Sequence, residues 1–118
     1  MNLTVSLRGS QEVRGACRIV HLTGQLDSFS EPSFRKEMNQ FVEQGPPHII
    51  LDMKAIDFLD SSGLGVLVQF AKKLSESGSL QVVSNPRVTQ TVKLVRLEKF
   101  LALQKSLEDA LANVPQAD

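Results

Sequence analysis

Phe58-Leu59-Asp60-Ser61-Ser62-Gly63-Leu64-Gly65-Val66-Leu67-Val68 sets a small, polar block, Asp60 to Gly63, between two apolar runs. Downstream, Leu64, Leu67, Val68, Ala71 and Leu74 recur at i, i+3, i+4 and i+7, the spacing of one face of a helix, and Gly78 ends it. Upstream, His48-Ile49-Ile50-Leu51-Asp52-Met53 is short and almost continuously apolar, as a strand covered on both faces must be. The block is therefore a strand-to-helix turn. Two readings of its serines stand: Ser61 and Ser62 cap the helix, or a hydroxyl is displayed for chemistry or for a partner.

Working outward, Leu3 to Leu7 alternates apolar and polar, and a second run, Ala16 to Leu22, follows the turn signals Gly9 and Gly15 and ends at Gly24. These predict a hairpin. Ser28 and Ser30 offer caps, Pro32 suits a first turn, and Phe34, Met38, Phe41 and Val42 mark an amphipathic helix that Gly45-Pro46-Pro47 stops. Leu80 to Val83 predicts a strand; Val88, Val92 and Val95 predict a third helix ending near Leu97 after Asn85-Pro86, with Arg87, Lys93 and Arg96 on its solvated face. A short strand over Leu101 to Leu103 and a final helix through Leu111, opened by the capping sequence Ser106-Leu107-Glu108-Asp109, complete the chain. The order β-β-α-β-α-β-α-β-α specifies an α/β domain with a mixed sheet of four to five strands packed with about four helices. Loops leaving parallel strands gather at their carboxyl ends, so Asp27 and Asp60 are expected near Ser61.

Composition narrows the partners. At 118 residues the chain holds one domain, and equal numbers of basic and acidic residues, 13 each, create no field that would draw it to nucleic acid. Cys17 is the sole cysteine, so no internal disulfide forms, and within a strand it reads as a small buried hydrophobe. The N-terminal stretch has no signal-peptide pattern and no run approaches the roughly 18 apolar residues of a membrane span, so a cytoplasmic protein without membrane insertion is expected. His21 and His48 lack metal-ligand spacing, and neither metal nor cofactor is expected. Catalysis with Ser61 as nucleophile is poorly supported: there is no G-x-S-x-G elbow, no phosphate-binding glycine loop, and neither histidine is recognisably paired with a carboxylate.

Asp60-Ser61-Ser62-Gly63-Leu64-Gly65, preceded by Ile50-Leu51-Asp52-Met53 and Ile56-Asp57-Phe58-Leu59, resembles the signature of STAS domains, specifically the free-standing bacterial anti-sigma factor antagonists. Gly24-Gln25-Leu26-Asp27 and Asn85-Pro86-Arg87-Val88 match further family segments, while Gly78-Ser79 departs from the glycine pair common before the fourth strand. The resemblance implies a STAS domain over 1–112 with a tail over 113–118. It implies a protein-binding switch in which Ser61 is phosphorylated by an anti-sigma factor that is itself a serine kinase with a histidine-kinase-like ATP-binding domain. A metal-dependent serine/threonine phosphatase would reverse the modification; the unphosphorylated form would bind the kinase and free its target. Partner contacts are expected at Asp27, Asp60, Ser61, Ser62, Gly63 and Gly65, the glycines serving both the turn and close approach. The alternative within the same fold is a constitutive subunit of a membrane transport or lipid-trafficking complex.

Overall fold

Twelve residues, His48–Leu59, form the central strand, twice the length that the apolar run alone indicates. The computed structural model of the chain describes Met1 and residues 3–114. Its elements are β1 (Leu7–Arg14), β2 (Cys17–Leu26), α1 (Glu31–Gln44), β3 (His48–Leu59), α2 (Ser61–Leu74), β4 (Ser79–Val83), α3 (Pro86–Leu94), β5 (Ala102–Gln104) and α4 (Leu107–Ala112). The strands form one five-stranded sheet in the order β1-β2-β3-β4-β5, with β1 antiparallel to β2 and every later pair parallel. Each crossover from β2 onward steps one strand in the same direction, so right-handed connections put α1, α2 and α3 on one face.

That face carries the main core. Phe34, Met38 and Phe41 of α1, Leu64, Leu67, Phe70 and Leu74 of α2, and Val88 and Val92 of α3 are buried against Val20, Leu51, Met53 and Val82 of the sheet. Each such side chain contributes about 1.5–3 kcal/mol when fully buried. The opposite face is covered more sparingly: Cys17, Ile19, Ile50 and Val83 meet Ala110 of α4 and the adjoining Val114. Val114 thus packs with the domain beyond the expected boundary at 112, and the rest of the tail, 115–118, lies outside the described residues. Burial pushes the Cys17 thiol above its ordinary pKa, in keeping with a small core side chain.

Several expected boundaries move, each for a physical reason. The first strand is Leu7–Arg14 and not Leu3 to Leu7. It is an exposed edge strand, so it shows no apolar alternation, and Gly9 lies inside it. Leu3 and Thr4 instead fold back, their amides donating to the Leu7 carbonyl. β2 runs on through Gly24, which has φ +110 and a Cα so close to the Ser6 carbonyl oxygen that a Cβ would lie 2.0 Å from it. β3 extends past Met53 because its register against β2 shifts twice. Each bulge adds one residue to the period of two, which is why the buried residues Met53, Ile56 and Leu59 stand three apart. α3 ends at Leu94, where the left-handed Arg96 (φ 58) turns the chain, and Val95 is exposed. The last strand is displaced by one residue, to Ala102–Gln104.

One buried charge ties the base of the sheet to α1. Arg18 of β2 is 6% exposed; its guanidinium lies 4.6 Å from the Phe41 ring centroid and donates to the Gly45 carbonyl at 2.6 Å and to Gln11. It neutralises the negative end of α1 and fixes the turn into β3. We expect Arg18→Ala to cost about 2 kcal/mol in urea unfolding, through the lost charged hydrogen bond and stem contacts. Arg18→Lys should fail to restore it, because an ammonium cannot fork to both partners.

Candidate functional site

Asp60 is the one residue between β3 and α2, and all of its polar groups are engaged. Its Oδ1 accepts the Gly63 amide at 3.0 Å, capping the helix, and its Oδ2 accepts the Ser28 amide at 3.1 Å, tethering the loop between β2 and α1. Its own amide donates to the Leu26 carbonyl at 3.3 Å, and its carbonyl accepts from Leu64 at 3.0 Å. Asp27 organises the tethered loop: its Oδ1 accepts the amides of Phe29 and Ser30, each at 3.0 Å. Ser30 is fully buried, accepting the Asp27 amide at 3.0 Å and donating its hydroxyl to the Gln25 carbonyl at 2.8 Å. The two aspartates expected near Ser61 are therefore brought together with it, each with a structural job.

Capping by Asp60 settles what the serines do for the helix. Ser61 opens the first turn, is exposed, and makes no hydrogen bond through its hydroxyl among the described residues. Ser62 is half-buried and likewise takes no part in the cap. Of the four amides that a helix start leaves unpaired, those of Asp60 and Gly63 are satisfied, so among the described residues the amides of Ser61 and Ser62 remain as donors at the positive end of the helix dipole.

The two glycines differ. A Cβ on Gly63 would stand 2.6 Å from the Leu26 carbonyl oxygen and 2.8 Å from Leu59 Cδ1, so this position is glycine for the sake of the β2–α2 contact. A Cβ on Gly65 would meet nothing within 4 Å. Gly65 lies four residues from Ser61, one turn along the same helix face, and exposed glycine inside a helix costs about 1 kcal/mol relative to alanine. The fold gives no return for that cost.

Two exposed aromatic rings come from the segments that flank this turn, Phe29 at 70% and Phe58 at 48% exposure. A different feature is not legible in the sequence. His21 Nδ1 lies 2.7 Å from Asp52 Oδ2, and His21 Nε2 lies 3.5 Å from Glu12 Oε1, so this histidine is paired with a carboxylate, contrary to expectation. The partners are 31 residues apart in sequence, and only strand register joins them. His21 sits five residues before the end of β2, roughly 16 Å down the strand from the turn, so it does not complete a triad with Ser61.

Among the described residues the strand order runs sequentially without a reversal, so the sheet has no switch point at which a ligand crevice would open. The sequence profile of the STAS domain matches residues 9–110. The chain belongs to the STAS domain family. It is 30% identical over 117 residues to the anti-sigma F factor antagonist of Paenibacillus polymyxa, with 97% of each chain covered. It is 28% identical over 97 residues to the anti-sigma-F factor antagonist RsfB of Mycobacterium tuberculosis, covering 81% of this chain and 80% of that one. An anti-sigma factor antagonist from Mycobacterium paratuberculosis shares the fold with a TM-score of 0.85 at 28% identity, over 92% of this chain and 94% of the other. No helix among the described residues of this STAS domain is long and apolar enough to cross a membrane.

The division of labour at the turn is directly testable by urea unfolding of single variants. Asp60→Ala should cost about 1–2 kcal/mol, the usual loss for an N-cap, and should speed amide exchange at Ser28. Ser61→Ala should stay within about 0.5 kcal/mol of wild type, as an exposed substitution away from any cap does.

Proposed function

We propose that this STAS domain is an anti-sigma factor antagonist whose partner binding is switched off by phosphorylation of Ser61. The observation that carries the reading is the exposed hydroxyl of Ser61, which the fold does not use, beside the bare helix face at Gly65. The partner is an anti-sigma factor that is also a serine kinase with a histidine-kinase-like ATP-binding domain, and a metal-dependent serine/threonine phosphatase reverses the modification. The protein itself acts by binding, as the curated relatives' name of antagonist suggests, and not as an enzyme.

The physics needs no rearrangement. A phosphate on Ser61 stands at a helix N-terminus where free amides and the dipole accommodate it, so the domain stays folded. It adds a charge of roughly −1.5 to −2 beside the Asp60 and Asp27 carboxylates. An acidic group of the partner about 4 Å away would be repelled by about 4 kcal/mol at an effective dielectric near 20, which is roughly a thousandfold in affinity. Gly65 and the turn bearing the amides of Ser61 and Ser62 let the partner's main chain approach the hydroxyl, while Gly63, buried against Leu26 with its amide bonded to Asp60, serves the turn itself. Asp60 and Asp27 set the position of the hydroxyl and supply the acidic background.

Baits carrying wild-type protein, Ser61→Ala and Ser61→Asp, exposed to lysate of the native cells, test the switch. We expect a protein with a kinase-type ATP-binding domain to be retained by the first two and lost by the third. Equal retention of the same partners by all three would replace this reading with a constitutive subunit. Gly65→Ala gives a separate check: its melting temperature should rise, reflecting about 1 kcal/mol of helix propensity, while the same partner is retained less.

A further inference from the structure

Charge along this chain is not evenly spread. Residues 86–105 hold five basic side chains, Arg87, Lys93, Arg96, Lys99 and Lys105, against Glu98 alone, a net of +4 that leaves −4 on the remainder of a chain whose formal charge is zero. The segment comprises α3, the turn after it, and β5, and all six of these side chains are exposed. Between α3 and β5 runs an open groove of about 920 Å³, its walls mostly carbon, lined among others by Leu94 and Leu103 and by the charged Lys93, Lys105 and Glu98, while Arg87, Arg96 and Lys99 lie outside the lining in the same segment. Leu94 is 75% exposed, an aliphatic side chain held in water beside a ready cavity. Among the described residues β5 is the last strand of the sheet and is bonded only to β4, and its Leu103 and Gln104 line the same groove.

A second observation comes from backbone conformation. Arg96 follows the C-cap of α3 at φ 58, the left-handed position where glycine is favoured and where a side chain is strained. Retaining arginine there adds to the basic surface at the expense of local comfort. An apolar groove whose charged lining is Lys93, Lys105 and Glu98, set in an exposed segment of net charge +4 and bounded by a strand edge, matches an extended protein segment carrying apolar anchors flanked by carboxylates. A lipid bilayer would also meet cations and Leu94, but it offers a plane where the chain has a concavity, and it has no backbone groups for the edge of β5.

We propose that the α3–β5 groove docks an acidic, apolar-anchored extended segment of a partner protein, at a surface separate from the Ser61 turn. The inference does not rest on the phosphorylation reading. Its test is a titration of isotope-labelled full chain with the peptide acetyl-Asp-Glu-Leu-Phe-Asp-Glu-amide, followed by amide shifts, beside a control with lysine in place of each acidic residue. The expected result is saturable shifts confined to residues 84–105 with the acidic peptide only, unchanged in Ser61→Asp. Lys93→Glu with Lys105→Glu should weaken binding at least tenfold. Arg96→Gly should weaken it also while raising the melting temperature, which separates docking from a folding defect. Absence of shifts, equal response to the lysine peptide, or shifts centred on the Ser61 turn would overturn the proposal. So would concentration-dependent self-association through this surface, which would make the occupant a second copy, or binding to phosphatidylserine vesicles that the same reversals abolish without any peptide response.

Discussion

The Asp60 carboxylate is the interaction on which the functional edge depends. One oxygen starts α2 and the other holds the loop that leads into α1, so a single side chain fixes the relative position of two segments that are far apart in sequence. Its backbone groups add ties to Leu26 and Leu64. Because an aspartate performs the capping that a serine would otherwise perform, the hydroxyl of Ser61 is free. A modification there changes the electrostatics of the surface without withdrawing a support from the fold. Had Ser61 been the cap, phosphorylation would have competed with the helix that presents it.

The sheet supplies the rest of the arrangement. Sequential strand order with right-handed crossovers crowds three helices onto one face and brings the ends of β2 and β3 out beyond β4, since β3 pairs with β4 only as far as Asp52 and Val83. The turn at Asp60 is carried on that extension, where bulged pairs join β3 to β2 and β1 flanks β2 as far as Gly24. Asn85 stiffens the extension from the side: its Nδ2 donates to the carbonyls of Lys54 and Ile56 at 3.0 and 2.9 Å, while its Oδ1 caps α3 through the Val88 amide at 2.7 Å.

Much of this was legible in the sequence because it is encoded locally. Helix faces at Phe34-Met38-Phe41 and Leu64-Leu67-Ala71, the strand at His48 to Met53, and the cap at Ser106, whose hydroxyl accepts the Asp109 amide at 3.1 Å, each follow from spacing or from one residue's chemistry. The edge strand β1 was misplaced because exposure removes the alternation by which strands are recognised. The second half of β3 falls outside the apolar run that marks the strand because its bulges convert a period of two into a period of three. The His21–Asp52 pair and the Asp60–Ser28 tether were beyond reach for another reason: both join residues about thirty positions apart, through register that local patterns do not carry. The distinction between Gly63 and Gly65 likewise required neighbours, since both are simply glycines in a turn until Leu26 is seen against one and open space beside the other.

The most direct measurement of the central claim compares the protein bearing phosphoserine at position 61 with the unmodified protein, in calorimetric titration against the retained kinase and in thermal unfolding. The account predicts an affinity lower by two or more orders of magnitude, as about 4 kcal/mol of repulsion implies, with an essentially unchanged melting temperature. Equal affinities, or a loss of affinity accompanied by a large fall in melting temperature, would contradict it, because the charge at Ser61 would then either not be read by the partner or be acting through the fold.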